Sequence, residues 1–132
     1  VLESLKLFNL LLVAAGGALG GMARLAVTDL CSHWLGSRFP WGTLMVNLSG
    51  ALLAGWLAAR LGIPSSLDLS SAWLALVVGL LGGYTTVSSF SLQTLTLWQS
   101  GQRFRAAAYT LATCLIGFLL VVLGWWLAGG GA

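Results

Sequence analysis

The chain has 132 residues, of which 58% are hydrophobic and 7% charged, with a formal net charge of +3. A water-soluble globule carries about 25% charged residues, so this composition excludes one and leaves no room for a separate soluble catalytic domain. The chain reads as an integral membrane protein made of a single domain, residues 1–132, with hydropathy as its first structural signal.

Charged residues divide the sequence into four uncharged runs: Leu7–Ala23, Trp41–Ala59, Leu69–Gln102 and Ala106–Ala132. Each supplies the roughly 20 apolar residues with which an α-helix crosses a hydrocarbon core about 30 Å thick. None alternates polar and apolar over about ten residues as the strands of a membrane barrel do. The expected fold is therefore all-α, with four transmembrane helices over Leu5–Leu30, Thr43–Leu61, Ala72–Trp98 and Arg105–Leu127.

The first run is longer than the 7–15 apolar residues or so of a signal peptide, so it reads as a span. Its "GGALGG" at 16–21 follows no strand and lies inside an apolar helix, which excludes a dinucleotide-binding loop. Gly16 with Gly20, and Gly17 with Gly21, have instead the small-xxx-small spacing that lets two helix backbones approach in lipid. The connector "SHWLGSRFPWG" holds Pro40 and a lone His33 with no second residue at metal-ligand spacing. In the second span Thr43 and Asn47 share a face at i, i+4, and Gly50 and Gly55 read as further packing sites. Trp34, Trp41, Trp73 and Trp98 fall near the ends of spans, where amphipathic rings suit the interface. Cys31 and Cys114 lie at the end of the first span and inside the fourth, and read as small apolar fillers.

The third run contains "GGYTTVSSF" at 82–90, a helix-weakening pair followed by hydroxyls. Thr86, Ser89, Gln93, Thr96 and Ser100 are spaced by 3, 4, 3 and 4 residues, which places them in one polar stripe along a helix. In the fourth span Tyr109, Thr113 and Gly117 share a face at the same spacing. Three helices thus offer hydroxyl and amide groups toward a shared polar line. The spans contain no interior carboxylate, since Glu3, Asp29 and Asp68 fall at span ends or in loops. Proton relays in membranes depend on such groups, so the lining suits a small anion better than a proton-coupled carrier. Gly82 and Gly83 are expected to break the third helix near mid-membrane. Freed carbonyls at that depth need protein, water or an ion, and carbonyl oxygens coordinate hard cations.

The six basic residues are scattered at span ends, which points to topology signals and lipid headgroups rather than nucleic acid. If the amino terminus marks one side, that side holds Lys6 and Arg60, and the other holds Arg38, Arg103 and Arg105, with Arg24 near the end of the first helix. So small an excess instructs orientation weakly, and insertion in both directions is compatible with it.

"PWGTLMVN" at 40–47, "GGYTTVSSFS" at 82–91 and "GGALGGMAR" ending in Arg24 together resemble the Fluc/CrcB-type fluoride ion channel family, over nearly the whole chain. The resemblance implies a dual-topology antiparallel homodimer in the cell membrane, the inner membrane in bacteria, with two fluoride pores and a structural sodium ion at its centre. It implies that the backbone carbonyls of Gly82 and Thr85 bind sodium, two from each subunit. Asn47 and Thr43 correspond to pore donors of the second helix, Phe90 to one of two phenylalanines whose ring edges line the fluoride path, Thr86 and Ser89 to the hydroxyls of that motif, and Arg24 to a vestibule arginine. Two positions depart from the pattern. Val87 stands where the family usually has the other phenylalanine ("TTVSSF" for "TTFSTF"). In the fourth helix, counting from Tyr109, Thr113 keeps the hydroxyl of a polar track and Gly117 lacks one.

The expected function is passive efflux of cytoplasmic fluoride, giving fluoride resistance. Hydrogen fluoride enters uncharged and dissociates inside, and a channel releases the trapped anion. Two other classes stay open on the sequence: a small four-helix proton-coupled exporter, and a non-conducting structural subunit.

Overall fold

In the computed structural model, which describes residues 1–66 and 69–131, each uncharged run becomes a helix long and apolar enough to cross a membrane. Asp68, read above as a loop carboxylate, lies outside the described residues. Helix α1 spans Leu2–Leu35 and α2 spans Trp41–Leu61. The third span, Trp73–Gln99, is two helices in one crossing. Its first part, α3 (residues 73–84), winds as a wide π-type coil over Trp73–Leu81 and closes with one α turn, Gly82–Tyr84. Its second part is α4, Val87–Gln99. Helix α5, Arg103–Leu127, carries a second π-type turn at Ala112–Ile116.

At 1.5 Å per residue α1 is about 50 Å long, well beyond a hydrocarbon core of about 30 Å. Gly42, at the start of α2, lies against Thr28, so roughly the last two turns of α1 run past α2 and border one end of the bundle. Gly36, at φ 79, ends the helix in a conformation that costs glycine little, and the chain returns through Pro40 into α2. At the span ends Arg60 lies over the Trp56 ring at 5.3 Å and Arg103 over Trp98 at 4.9 Å, pairing headgroup-level cations with interfacial rings.

With no hydrophobic drive between helices in lipid, close backbone approach has to hold the bundle. The expected glycines supply much of it. Gly16 and Gly20 are buried against α3, and a methyl group at Gly20 would run into the Leu80 carbonyl. Gly55 of α2 and Gly124 of α5 lie against the backbone of Val121 and of Leu52 respectively, which joins those two helices along their length. Gly21 departs from the expectation. It has open space around it and packs nothing.

The break in the third span also differs from the sequence reading. Gly82 and Gly83 stay helical, with Gly82 at φ −61, ψ −39. Gly83 is needed for contact, because a Cβ there would meet the Gly17 carbonyl. The chain opens instead at Thr85 (φ −80, ψ 158) and Thr86 (φ −150, ψ 123). Both threonines stabilise the opening locally. The Thr85 hydroxyl donates back to the Leu81 carbonyl at 2.8 Å, ending α3, and the Thr86 hydroxyl accepts from the Ser89 N–H at 3.1 Å, capping α4.

Candidate ion pathway

The opened backbone is gripped from a neighbouring helix. Asn47 of α2 accepts the Thr86 N–H on Oδ1 at 2.8 Å and donates from Nδ2 to the Thr86 carbonyl at 2.9 Å. Both polar groups of a residue that belongs to no helix are thereby satisfied inside the bundle, which lipid requires. Half of the amide's hydrogen-bonding capacity, one N–H and one lone pair, is left over. The same clasp redirects the donors that a continuous helix would send to two carbonyls. The Thr86 N–H, due to Gly82, goes to Asn47, and the Ser89 N–H, due to Thr85, goes to the Thr86 hydroxyl. The Gly82 and Thr85 carbonyls are the two expected at a sodium site, and oxygen donors released from a helix ladder are the chemistry a hard cation takes.

Thr86 is common to two cavities. One, of about 270 Å³, lies between α1, α2 and α4 and is lined by Arg24, Thr28, Thr43, Thr86, Ser89 and Gln93, with Gly21 and Leu25. Its lining is largely polar and, among the described residues, includes no carboxylate. The other, of about 500 Å³, lies beside the break and is mostly apolar. Asn47, Gly82, Thr85, Val87, Phe90 and Thr113 border it, with Gly117 of α5. The residues expected at the sodium site, along the fluoride path and at the vestibule distribute over these two cavities. Arg24, Thr43 and Ser89 meet on the polar side, and Asn47, Gly82, Thr85, Val87, Phe90 and Thr113 on the other.

Tyr109 borders neither cavity. It is fully buried, and its hydroxyl donates to Gln93 Oε1 at 3.0 Å. Its ring packs edge-on against Phe90 (5.2 Å between centroids, 65°) and against Phe39 (5.5 Å, 75°). Such tilted pairs match the ring quadrupoles and fix the rotamers of both partners. Thr113, one turn on, donates its hydroxyl to the Tyr109 carbonyl at 2.8 Å. Beside the break, Tyr84 and Ser49 share a hydrogen bond of 2.8 Å that ties α3 to α2.

A third cavity of about 320 Å³ continues the polar one through three shared lining residues, Thr28, Thr43 and Gln93, toward the end of the bundle where α1 projects. Thr96 and Ser100, the outer members of the polar stripe on α4, line it. The stripe thus borders two neighbouring cavities. Gln93, known from the sequence only as a member of that stripe, is common to both. Thr28 was missed altogether, although Arg24, Thr28 and Ser32 recur every four residues on α1 and carry the signal of one polar face.

The model of a family described as "CrcB-like protein, Camphor Resistance (CrcB)" matches residues 11–125. Among curated proteins, a fluoride-specific ion channel FluC of Nitrobacter winogradskyi is 46% identical over 115 residues, covering 87% of this chain and 90% of its own length. A FluC of Rhodospirillum rubrum is 46% identical over 118 residues, covering 86% of this chain and 92% of its own. A FluC of Thermus thermophilus is 44% identical over 119 residues, covering 90% and 94%.

Proposed function

The chain belongs to the CrcB-like family, and from that premise we propose that it is a fluoride-selective channel of the bacterial cell membrane, through which cytoplasmic fluoride leaves passively. The observation that carries this reading is the identity of about 46% to proteins named fluoride-specific channels over most of the chain. The chemistry of the polar cavity agrees with it. Arg24 supplies a positive potential, and Thr43, Ser89 and Gln93 supply neutral groups that replace parts of a small anion's hydration shell. Beyond Thr86, the spare N–H of Asn47 and the Phe90 ring edge continue the donor set, while the Thr113 hydroxyl, which borders the same cavity, spends its proton on the Tyr109 carbonyl. Efflux needs no coupling reaction, because an interior-negative potential drives an anion outward by about 2.3 kcal/mol per charge per 100 mV.

The functional unit in this reading is an antiparallel homodimer of chains inserted in opposite directions, holding one sodium ion between them. Three observations support it. The basic residues give a weak orientation signal. Val87 borders the cavity beside the break yet is 77% exposed in the single chain, as a residue awaiting a partner would be. The Thr86 and Ser89 N–H groups turn away from the Gly82 and Thr85 carbonyls, and a two-fold pair would bring two such carbonyls from each chain to a shared cation.

Fluoride efflux from liposomes containing only this protein tests the proposal, with chloride as the control ion and no pH gradient or nucleotide present. Rapid fluoride loss with negligible chloride loss is the expected result. Fluoride retention equal to that of empty liposomes would overturn it, and flux appearing only with a pH gradient would move the protein to the carrier class.

A further inference from the structure

The end of the bundle bordered by the cavity of about 320 Å³ carries a cation that no other described residue engages. Helix α1 stops at Gly36, and residues 37–40 turn back across that end, bringing Ser37, Arg38 and Phe39 onto the cavity rim with Ser100 and Gln102 from the far side. Phe39 packs on Trp41 at 4.7 Å and on Tyr109, so the segment next to Arg38 is fixed by ring contacts rather than left loose. The other basic residues near the α4–α5 connector are committed. Arg105 donates to Gln102 Oε1 at 2.9 Å, and Arg103 lies over Trp98. Among the described residues Arg38 has no ion pair, no side-chain hydrogen bond and no ring beneath it. The cavity it borders has no carboxylate among its described lining residues and adjoins, across Thr28, Thr43 and Gln93, the space that Arg24 faces.

We propose that Arg38 is an anion-collecting residue: an unpaired guanidinium at the mouth of the polar space that raises the local concentration of permeant anion and hands it inward toward Arg24. The assignment rests on the channel reading above and adds a residue to it. A guanidinium stays charged at any working pH, and a rim of low-dielectric helix ends focuses its field into the opening. Arg38 acts at a distance, through solvent. Its effect is therefore on the rate of capture, and it has to disappear when salt shortens the Debye length from about 30 Å at 0.01 M to about 3 Å at 1 M. A residue that merely braced the α1–α2 connector would show no such dependence.

The test compares the parent, Arg38→Gln and Arg38→Lys in liposomes at a low, fixed fluoride concentration and a constant sodium concentration, at ionic strengths of about 0.01 M and about 1 M, the difference made up with N-methylglucamine gluconate. The expected result is a two- to threefold lower fluoride flux for Arg38→Gln at low salt, no difference at high salt, and near-parental behaviour for Arg38→Lys, all about what one charge several ångströms from the path produces in water. As a second readout that needs no variant, the parent's own flux falls as gluconate rises. Equal flux for parent and Arg38→Gln at low salt would overturn the inference. So would an equal loss at both salt levels, which marks a structural role, or a parental flux indifferent to salt. Failure of the parent to conduct fluoride at all is a separate outcome, and it removes the channel reading together with this one.

Discussion

Asn47 holds the backbone of Thr86 at two points, accepting its N–H at 2.8 Å and donating to its carbonyl at 2.9 Å. The amide is matched to this task because it is donor and acceptor at once. In Asn47→Asp a carboxylate oxygen would face the Thr86 carbonyl with no proton between them, and a charge would sit where an anion is proposed to pass. A broken buried hydrogen bond costs about 1–3 kcal/mol, and the added negative charge raises the barrier further. We expect fluoride flux to collapse while the proposed dimer, followed by size-exclusion chromatography in detergent, persists. Parental flux in a folded Asn47→Asp protein would remove Asn47 from the path.

Two adjacent glycines separate packing from permeation. Gly20→Ala drives a methyl group into the Leu80 carbonyl, and overpacking of this kind costs about 1–3 kcal/mol. Gly21→Ala meets nothing within 4 Å but adds a methyl beside the cavity that Arg24 faces. Thermal unfolding in detergent is expected to drop for Gly20→Ala and stay unchanged for Gly21→Ala. An equal drop in both would contradict the assignment of Gly21 to the cavity.

Val87 is 77% exposed in the single chain, so a larger side chain there meets no clash within its own subunit. Val87→Phe would add a second aromatic edge one turn from Phe90, whereas Val87→Ala only removes methyls. The liposome assay should show fluoride flux changed more by phenylalanine than by alanine, with folding and dimerisation unaltered. If both variants match the parent, position 87 lies outside the conduction path.

The contacts of Tyr109 are separable by chemistry. Tyr109→Phe removes the bond to Gln93, worth about 0.5–1.5 kcal/mol, and keeps the edge-on packing with Phe90 and Phe39. Tyr109→Leu loses the ring pairs as well, adding about 0.5–1.5 kcal/mol for each. Stability should fall in the order parent, Tyr109→Phe, Tyr109→Leu. Comparable losses in the two variants would mean that the hydroxyl, rather than the rings, fixes this corner.

The proposed sodium ion makes stability depend on mass action. A ligand present at about 100 times its dissociation constant stabilises the folded state by about 2.7 kcal/mol. Protein purified with N-methylglucamine in place of sodium should therefore melt earlier and conduct less, and both losses should reverse when sodium is added. Unchanged melting in the two salts would speak against a bound sodium.

Four spans are determined by the sequence alone, because crossing a hydrocarbon core demands about 20 apolar residues and the charges leave only four such runs. Helical periodicity determines as firmly that Ser89, Gln93 and Thr96 share a face of α4, since 3.6 residues per turn is a property of any helix. Which wall each polar residue joins is a different matter. Thr43 and Asn47 are one turn apart on α2, yet one borders the cavity of Arg24 and the other the cavity beside the break. That division follows from where the start of α4 inserts between helices, a relation with no local signature. The position of the break was decided in the same way. Local propensity put it at Gly82 and Gly83, the weakest helix formers of the segment. Packing against Gly17 holds Gly83 helical, and the chain opens at Thr85 and Thr86 because Asn47, 39 residues away, supplies the hydrogen bonds that an opened backbone must find inside a membrane.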